Sequence, residues 1–416
     1  MKIYLVGGAV RDRLLDYPVS EQDWLVVGAT VGEMLERGYR QVGKDFPVFL
    51  HPETQEEYAL ARTERKTAPG YRGFSINADS DVSLEEDLLR RDLTINAMAI
   101  GDDGELIDPF NGRSDLQQRV LRHVSPAFGE DPVRILRVAR FAARYAHLGF
   151  VVAEETRQLM QDMVTGGEAN HLVPERVWAE LYKALSERSP AAFIRTLQDC
   201  HALPTIFPEI HALFGVPQPA KYHPEIDTGV HSLMAVSQAA LLSDKPEVRL
   251  AALLHDLGKA VTDPDKWPSH HGHERLGLPV LERFCERLRV PKAIKGLCAQ
   301  VMEYHTLCHR AFELRADTLT DMLQALGAFK PATQLQDFLL ACEADATGRT
   351  GFEQAPYPQA AYIRAAVEAA LAEDTRTVMQ PGLKGPQIGQ AIKSMRRQAI
   401  NNFKQHYSRN LSIRHA

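Results

Sequence analysis

The residues with most chemistry to offer fall in two groups, one toward each end of the sequence. In the first, Glu21-Gln22-Asp23 opens the apolar run Trp24-Leu25-Val26-Val27. Alternate residues of a strand share a face, so this spacing sets two carboxylates side by side. Their repulsion is relieved by a divalent cation, and Mg²⁺ favours one or two carboxylates completed by substrate phosphates and water. Such a layout serves metal-assisted phosphoryl or nucleotidyl transfer. In the second group, His255-Asp256 interrupts an almost wholly apolar helical stretch, Val248 to Lys259, where burying the pair unaided is costly. Further donors recur around it: His231, His273 with Glu274, His305 and Asp345, with His270 and His271 as alternatives to His273. Mixed imidazole and carboxylate donors suit Ni²⁺, Mn²⁺, Co²⁺ or Fe²⁺ better than Mg²⁺, and a bound water would attack a phosphate ester.

These groups need elements to hold them. Leu5-Val6-Gly7-Gly8-Ala9-Val10-Arg11-Asp12 reads as a strand, a glycine pair and a helix start, which lets backbone N–H groups approach phosphate. Strands are expected at Ile3–Val6, Trp24–Val27, Val48–Leu50, Tyr58–Ala61 and Ala97–Ile100, alternating with helices over the first 125 or so residues. Residues 62–84 are polar and take no regular assignment, which suits a functional loop. From Asp131 onward the text is helical. Arg134, Arg137, Arg140 and Arg144 recur at three- and four-residue steps opposite Ile135, Val138, Ala139 and Ala142, so one helix carries a cationic stripe fit for triphosphate or RNA. Proline-bearing connectors around 216–227 and 348–357 are candidate boundaries.

At this point GGAVRD, E-x-D, RRDLTINAMA and EDPVRILRVARF, in that order, resemble the class II tRNA nucleotidyltransferases, the bacterial CCA-adding enzymes within the polymerase β-like group. Bacterial poly(A) polymerases share most of these motifs. The resemblance implies an α+β fold: a nucleotidyltransferase head at 1–125, a helical nucleotide-recognition neck and body at 126–215, an HD domain at 225–347 and a basic helical segment at 358–416. It implies that Glu21 and Asp23 hold Mg²⁺, that Gly8, Arg11, Arg91, Arg137 and Arg140 contact CTP or ATP, and that Asp131 and Arg134 read the base edge. Cytosine and adenine share an amino donor beside a ring-nitrogen acceptor; a carboxylate and a guanidinium complement both, whereas uracil and guanine leave them unpaired. The family pair is usually D-x-D, so Glu21 is a departure, and Glu57 sits where the family's next strand would supply a third carboxylate. The later series H…HD…H…H…D resembles the HD phosphohydrolases, with His231, His255, Asp256, His273, His305 and Asp345 as metal donors and His255 and Asp256 at the catalytic centre. CCA-adding enzymes with such a domain are associated with phosphatase, 2′-nucleotidase and 2′,3′-cyclic phosphodiesterase activities. An HD hydrolase whose N-terminal half only binds nucleotide or RNA is the remaining alternative.

Composition narrows the field. The chain has 416 residues, enough for several cores, and 48 Lys+Arg against 54 Asp+Glu, so a polyanion must meet a local basic patch. One such patch is the run from Thr375 to the end, which has many Lys and Arg and no Asp or Glu, and reads either as a solvated terminus or as an RNA-backbone contact. Five cysteines without C-x-x-C spacing argue against a disulfide framework, and no apolar run reaches membrane-spanning length. The expected partners are tRNA, CTP and ATP, not DNA or a membrane, in the cytoplasm, with monomer and homodimer both open.

Overall fold

The computed structural model describes residues 1–19, 22–42, 47–66, 74–378 and 384–414. It divides into two compact units, residues 1–208 and 209–416. Unit 1 is built on a seven-stranded mixed sheet. In chain order its strands are β1 (Lys2–Val6), β2 (Asp23–Val27), β3 (Arg40–Gln41), β4 (Val48–Leu50) and β5 (Glu57–Leu60), then, after the hairpin β6 (Thr63–Lys66) and β7 (Phe74–Asn77), β8 (Ala99–Ile100) and β9 (Leu106–Ile107). Their spatial order is β3-β4-β5-β2-β1-β8-β9. β1 is antiparallel to β2, with Val6 opposite Asp23, and β2 is parallel to β5, with Asp23 opposite Glu57. The apolar residues of the central strands fill the core: Val6, Leu25 and Ala99 meet Leu88 and Ala97 on one side, and Val26, Phe49 and Leu60 meet Met34 on the other.

Beyond the sheet, helix Val133–Tyr145 packs its buried stripe, Ile135, Val138, Ala139 and Ala142, against helices Pro174–Ser186 and Ala191–Asp199. Unit 2 is helical. Helix Thr228–Leu242 packs on Pro246–Leu254 and Leu335–Thr347, with Ala235, Ala239, Ala252 and Ala344 as small contact residues that let the backbones approach. Helices His273–Leu288 and Lys292–His309 close the remaining sides of this group.

Several expectations need correction. The unassigned stretch 62–84 contains the β6–β7 hairpin and the start of helix Leu84–Leu89. The strand expected at Ala97–Ile100 is only Ala99–Ile100, because Thr94–Asn96 forms a 3₁₀ turn just before it. The helix expected from Val248 through Lys259 breaks at His255-Asp256, and a new turn runs from Leu257 to Val261. The basic C-terminal run is helical from Gly385 to Arg414, not a loose terminus; Ile400 is buried, and Lys393 and Lys404 reach Asp321 and Tyr362 within unit 2. All five cysteines are free and buried, and no described helix is long and apolar enough to cross a membrane.

Candidate active sites

The first site lies at the ends of β1 and β2. Gly7 follows β1 with a φ of 68°, a left-handed conformation that glycine adopts freely. A β-carbon there would sit 2.9 Å from Arg91 Nη1 and 3.9 Å from Asp23 Oδ2, so the bare glycine lets the guanidinium and the carboxylate come up to the strand end. Strand pairing sets Glu57 beside Asp23 on the same face. Glu21 lies outside the described residues, so the carboxylate pair is seen here through Asp23 alone.

Around this point the arginines are held in fixed positions by carboxylates and carbonyls. Arg91 and Arg90 both pair with the fully buried Asp87, at 3.2 and 2.8 Å. Arg137 Nε donates to Asp92 Oδ2 at 2.6 Å, and Asp92 Oδ1 accepts from Asn96 Nδ2 at 2.9 Å. Burial alone would lift the Asp87 and Asp92 carboxyls, but Arg91 and Arg90 beside the first, and Arg137 with Asn96 beside the second, outweigh it and hold both below the usual carboxylate range. Arg140 pairs with Glu180 at 2.6 Å, and Arg144 with Asp12 at 3.1 Å. Arg11, next to Gly8, is buried: it bonds Asp12 at 2.8 and 3.0 Å and Asn96 at 2.5 Å, and it lies over the rings of Phe141 and Tyr145. Asp131, just ahead of helix Val133–Tyr145, accepts from Val133 N at 3.0 Å and from both terminal nitrogens of Arg176. Arg134 donates to the carbonyls of Ala127 and Arg90, at 2.9 and 2.6 Å. Asp131, Arg176 and His171 line one cleft.

The second site is buried in unit 2. The break after Leu254 presents His255 and Asp256 from a helix end, and Gly258 makes it possible: a β-carbon there would fall 1.9 Å from the carbonyl oxygen of His273. Four imidazoles share one orientation. The Nδ1 atoms of His231, His255, His273 and His305 lie 2.8 to 3.0 Å from the carbonyl oxygens of Gly348, Ala252, His270 and Val301. Each ring thus turns Nε2 inward. His231 and His255 approach Asp345 Oδ1 at 3.0 and 3.4 Å, and His273 and His305 approach Asp256 Oδ1 at 3.3 and 3.7 Å. The structure brings together all six side chains singled out in the sequence. It separates His270, which bonds Thr262 and the carbonyl of Pro217, and His271, which is exposed, leaving His273 as the member of the cluster.

This donor set fits a divalent cation. Inward-facing Nε2 atoms whose Nδ1 partners are backbone carbonyls are the arrangement seen around metal-ligating histidines. Among the described residues, His255 Nε2 and Asp256 Oδ1 are buried without a hydrogen bond. The electrostatics agree. Burial opposes charge on His255, yet Asp256 and Asp345 push its pKa up to about 10, while burial and His255 push His305 down to about 3. The two buried carboxylates call for positive charge at their centre.

Sequence reasoning missed several supporting residues. His309 is one turn beyond His305 on the same helix, a spacing that points to it in hindsight; its Nε2 is 2.7 Å from Asp345 Oδ2 and its Nδ1 is 2.9 Å from Tyr357 Oη. Asp12 and Asp92 sat inside the motifs already quoted, while Arg176 and Glu180 carried no local signal at all.

The geometry agrees with what the chain is similar to. Sequence profiles match the Poly A polymerase head domain at residues 3–122, the probable RNA and SrmB-binding site of polymerase A at 149–214, and the HD domain at 228–328. The multifunctional CCA protein of Thioalkalivibrio sulfidiphilus is 62% identical over 404 residues, covering 97% of this chain and 99% of that one. That of Methylococcus capsulatus is 62% identical over 405 residues, covering 97% and 95%. The fold resembles that of a CCA-adding enzyme solved in its apo form II, with a TM-score of 0.67 at 20% identity, covering 96% of this chain and 88% of that one. The chain belongs to the multifunctional CCA proteins, class II tRNA nucleotidyltransferases that carry an HD phosphohydrolase domain, and its two domain types imply dependence on divalent metal.

Proposed function

We propose that unit 1 adds and repairs the 3′-terminal CCA of tRNA from CTP and ATP, without a nucleic-acid template and in the cytoplasm. Along the chain, residues 1–125 serve as the head and 126–215 as the neck and body, while 225–347 form the HD domain and 358–416 a basic helical segment. The observation that carries the reading is the meeting of Asp23 and Arg91 at Gly7. Asp23 and Glu21 hold Mg²⁺, with Glu57 completing the acidic face. When bound, the ion neutralises phosphate oxygens and lowers the pKa of the attacking hydroxyl. Gly8 leaves room for the triphosphate, and Arg91, Arg137 and Arg140 meet its charge from positions already fixed by Asp87, Asp92 and Glu180. Such preorganisation means little rearrangement is needed as charge develops toward pyrophosphate. Arg11, expected to contact the nucleotide, is buried and bonded to Asp12 and Asn96, so it supports this row through those two residues instead. Asp131 and Arg134 read the amino group and ring nitrogen shared by cytosine and adenine.

The HD cluster hydrolyses phosphate esters, including 2′-nucleotides and 2′,3′-cyclic phosphates. Its transition metal, for which Ni²⁺ is a suitable candidate, is held by His231, His255, Asp256, His273, His305 and Asp345. The test supplies tRNA lacking its last three nucleotides with each labelled nucleoside triphosphate. Incorporation of C, C and A followed by arrest supports the reading. An unlimited run of A points instead to a poly(A) polymerase, and no incorporation leaves only the hydrolase.

A further inference from the structure

The HD profile begins at residue 228, yet buried side chains just before it reach the donor cluster. The proline-bearing segment 216–227, expected to be a connector, supplies two of them. Gln218 Oε1 accepts from Lys259 Nζ at 2.5 Å, and the same ammonium donates to Asp256 Oδ2 at 2.6 Å. Glu225 has a side chain only 2% exposed, with Oε1 3.1 Å from Nδ1 of His231 and 3.1 Å from Nδ1 of His223. Its Oε2 accepts from the backbone N–H of Thr350 at 3.3 Å. The Nδ1 of His231 thus faces two acceptors, this carboxylate and the Gly348 carbonyl at 3.0 Å. With acceptors on that side Nδ1 carries a proton, and the ring is turned so that Nε2 faces Asp345 Oδ1 at 3.0 Å.

We propose that Glu225 is a positioning residue of the HD centre, holding His231 in the tautomer and orientation that presents Nε2 to a divalent ion. The inference rests on the reading of the cluster as a metal site. A carboxylate behind a ligating imidazole locks the ring and raises its basicity, which a carbonyl does less strongly. His223 shares the carboxylate and also packs edge-on against the His231 ring, with centroids 4.7 Å apart, so its removal takes away ring packing while keeping the Glu225 carboxylate.

The test is calorimetric titration of Ni²⁺ into the full-length protein, with His255→Ala as the blank for ions taken up elsewhere. Glu225→Ala is expected to weaken binding about 10- to 100-fold. Glu225→Gln keeps an acceptor oxygen and is expected to fall between, roughly three- to tenfold weaker. His223→Ala is expected to bind as the parent does. An unchanged dissociation constant in Glu225→Ala overturns the inference, and so does an equal loss in His223→Ala, which marks general loosening of the segment. Should Glu225→Ala not fold, Glu225→Gln against His223→Ala decides: a loss in the first alone supports the role, and equality overturns it. A parent protein that takes up no more ion than His255→Ala fails the metal reading itself, a different outcome from either.

Discussion

Arg137 is tied to Asp92 by a 2.6 Å hydrogen bond from Nε, leaving the rest of its guanidinium for other partners. Asp92→Asn should raise the KM for CTP and ATP about tenfold with a smaller change in kcat, because an unanchored arginine binds the same charge at an entropic cost. Steady-state kinetics with both nucleotides checks this. The same pair gives a pH dependence. The folded-state pKa of Asp92 is depressed, so its contribution to stability is present above the usual carboxylate range and is lost as pH falls through the folded value. Thermal unfolding of the parent should therefore decline more steeply than that of Asp92→Asn as pH is lowered below about 4.

The two sites should separate cleanly. Asp23→Ala is expected to abolish nucleotide addition and spare phosphohydrolysis, and Asp256→Ala to do the reverse. Paired assays on each variant measure this; addition that persists in Asp23→Ala removes that carboxylate from the metal site, and retained metal-dependent phosphatase activity in Asp256→Ala does the same there.

Base choice should follow Asp131 and Arg134. Replacing both with alanine should admit UTP and GTP, since each unpaired group in the parent costs a wrong base about 1–3 kcal/mol. Competition between labelled CTP and UTP reads the change, and continued exclusion of UTP by the double variant refutes the assignment.

Glu57 offers a sharper test of the acidic face, being the in-register neighbour of Asp23. Glu57→Gln should reduce kcat for addition by about tenfold or more if its charge helps hold the ion. Raising the Mg²⁺ concentration should recover part of that loss, and a Mg²⁺ dependence identical to the parent's would exclude it as a ligand.

Gly258→Ala should damage the HD centre alone. Its new methyl would meet the His273 carbonyl and force helix His273–Leu288 outward, an overpacking cost of about 1–3 kcal/mol. Phosphatase activity should fall while nucleotide addition stays at the parent level.

What the sequence revealed and what it hid follow from the range of the interactions. β2 and the arginine helix were legible because apolar periodicity and motif spacing are local. The six clustered side chains of unit 2 were legible because histidines and carboxylates are conspicuous in apolar helices. The break at His255-Asp256 was not, since Val248 to Leu257 carries the apolar pattern of one continuous helix and the reason for stopping is tertiary: Gly258 must pass the His273 carbonyl. Nor were Arg176 behind Asp131, Glu180 behind Arg140 or Glu225 behind His231 foreseen. The first two partnerships span 45 and 40 residues and depend on how helices pack; the third lies close in sequence but inside a segment whose prolines suggested a linker.

The bond between His231 and Asp345 joins residues 114 positions apart. A nascent chain emerging from the ribosome exposes its first histidine long before the last carboxylate has been synthesised. Until then the cluster lacks one of its two carboxylates, so any ion held by all six side chains would have to enter after Asp345 has been made, when residues 1–208 have long since been synthesised.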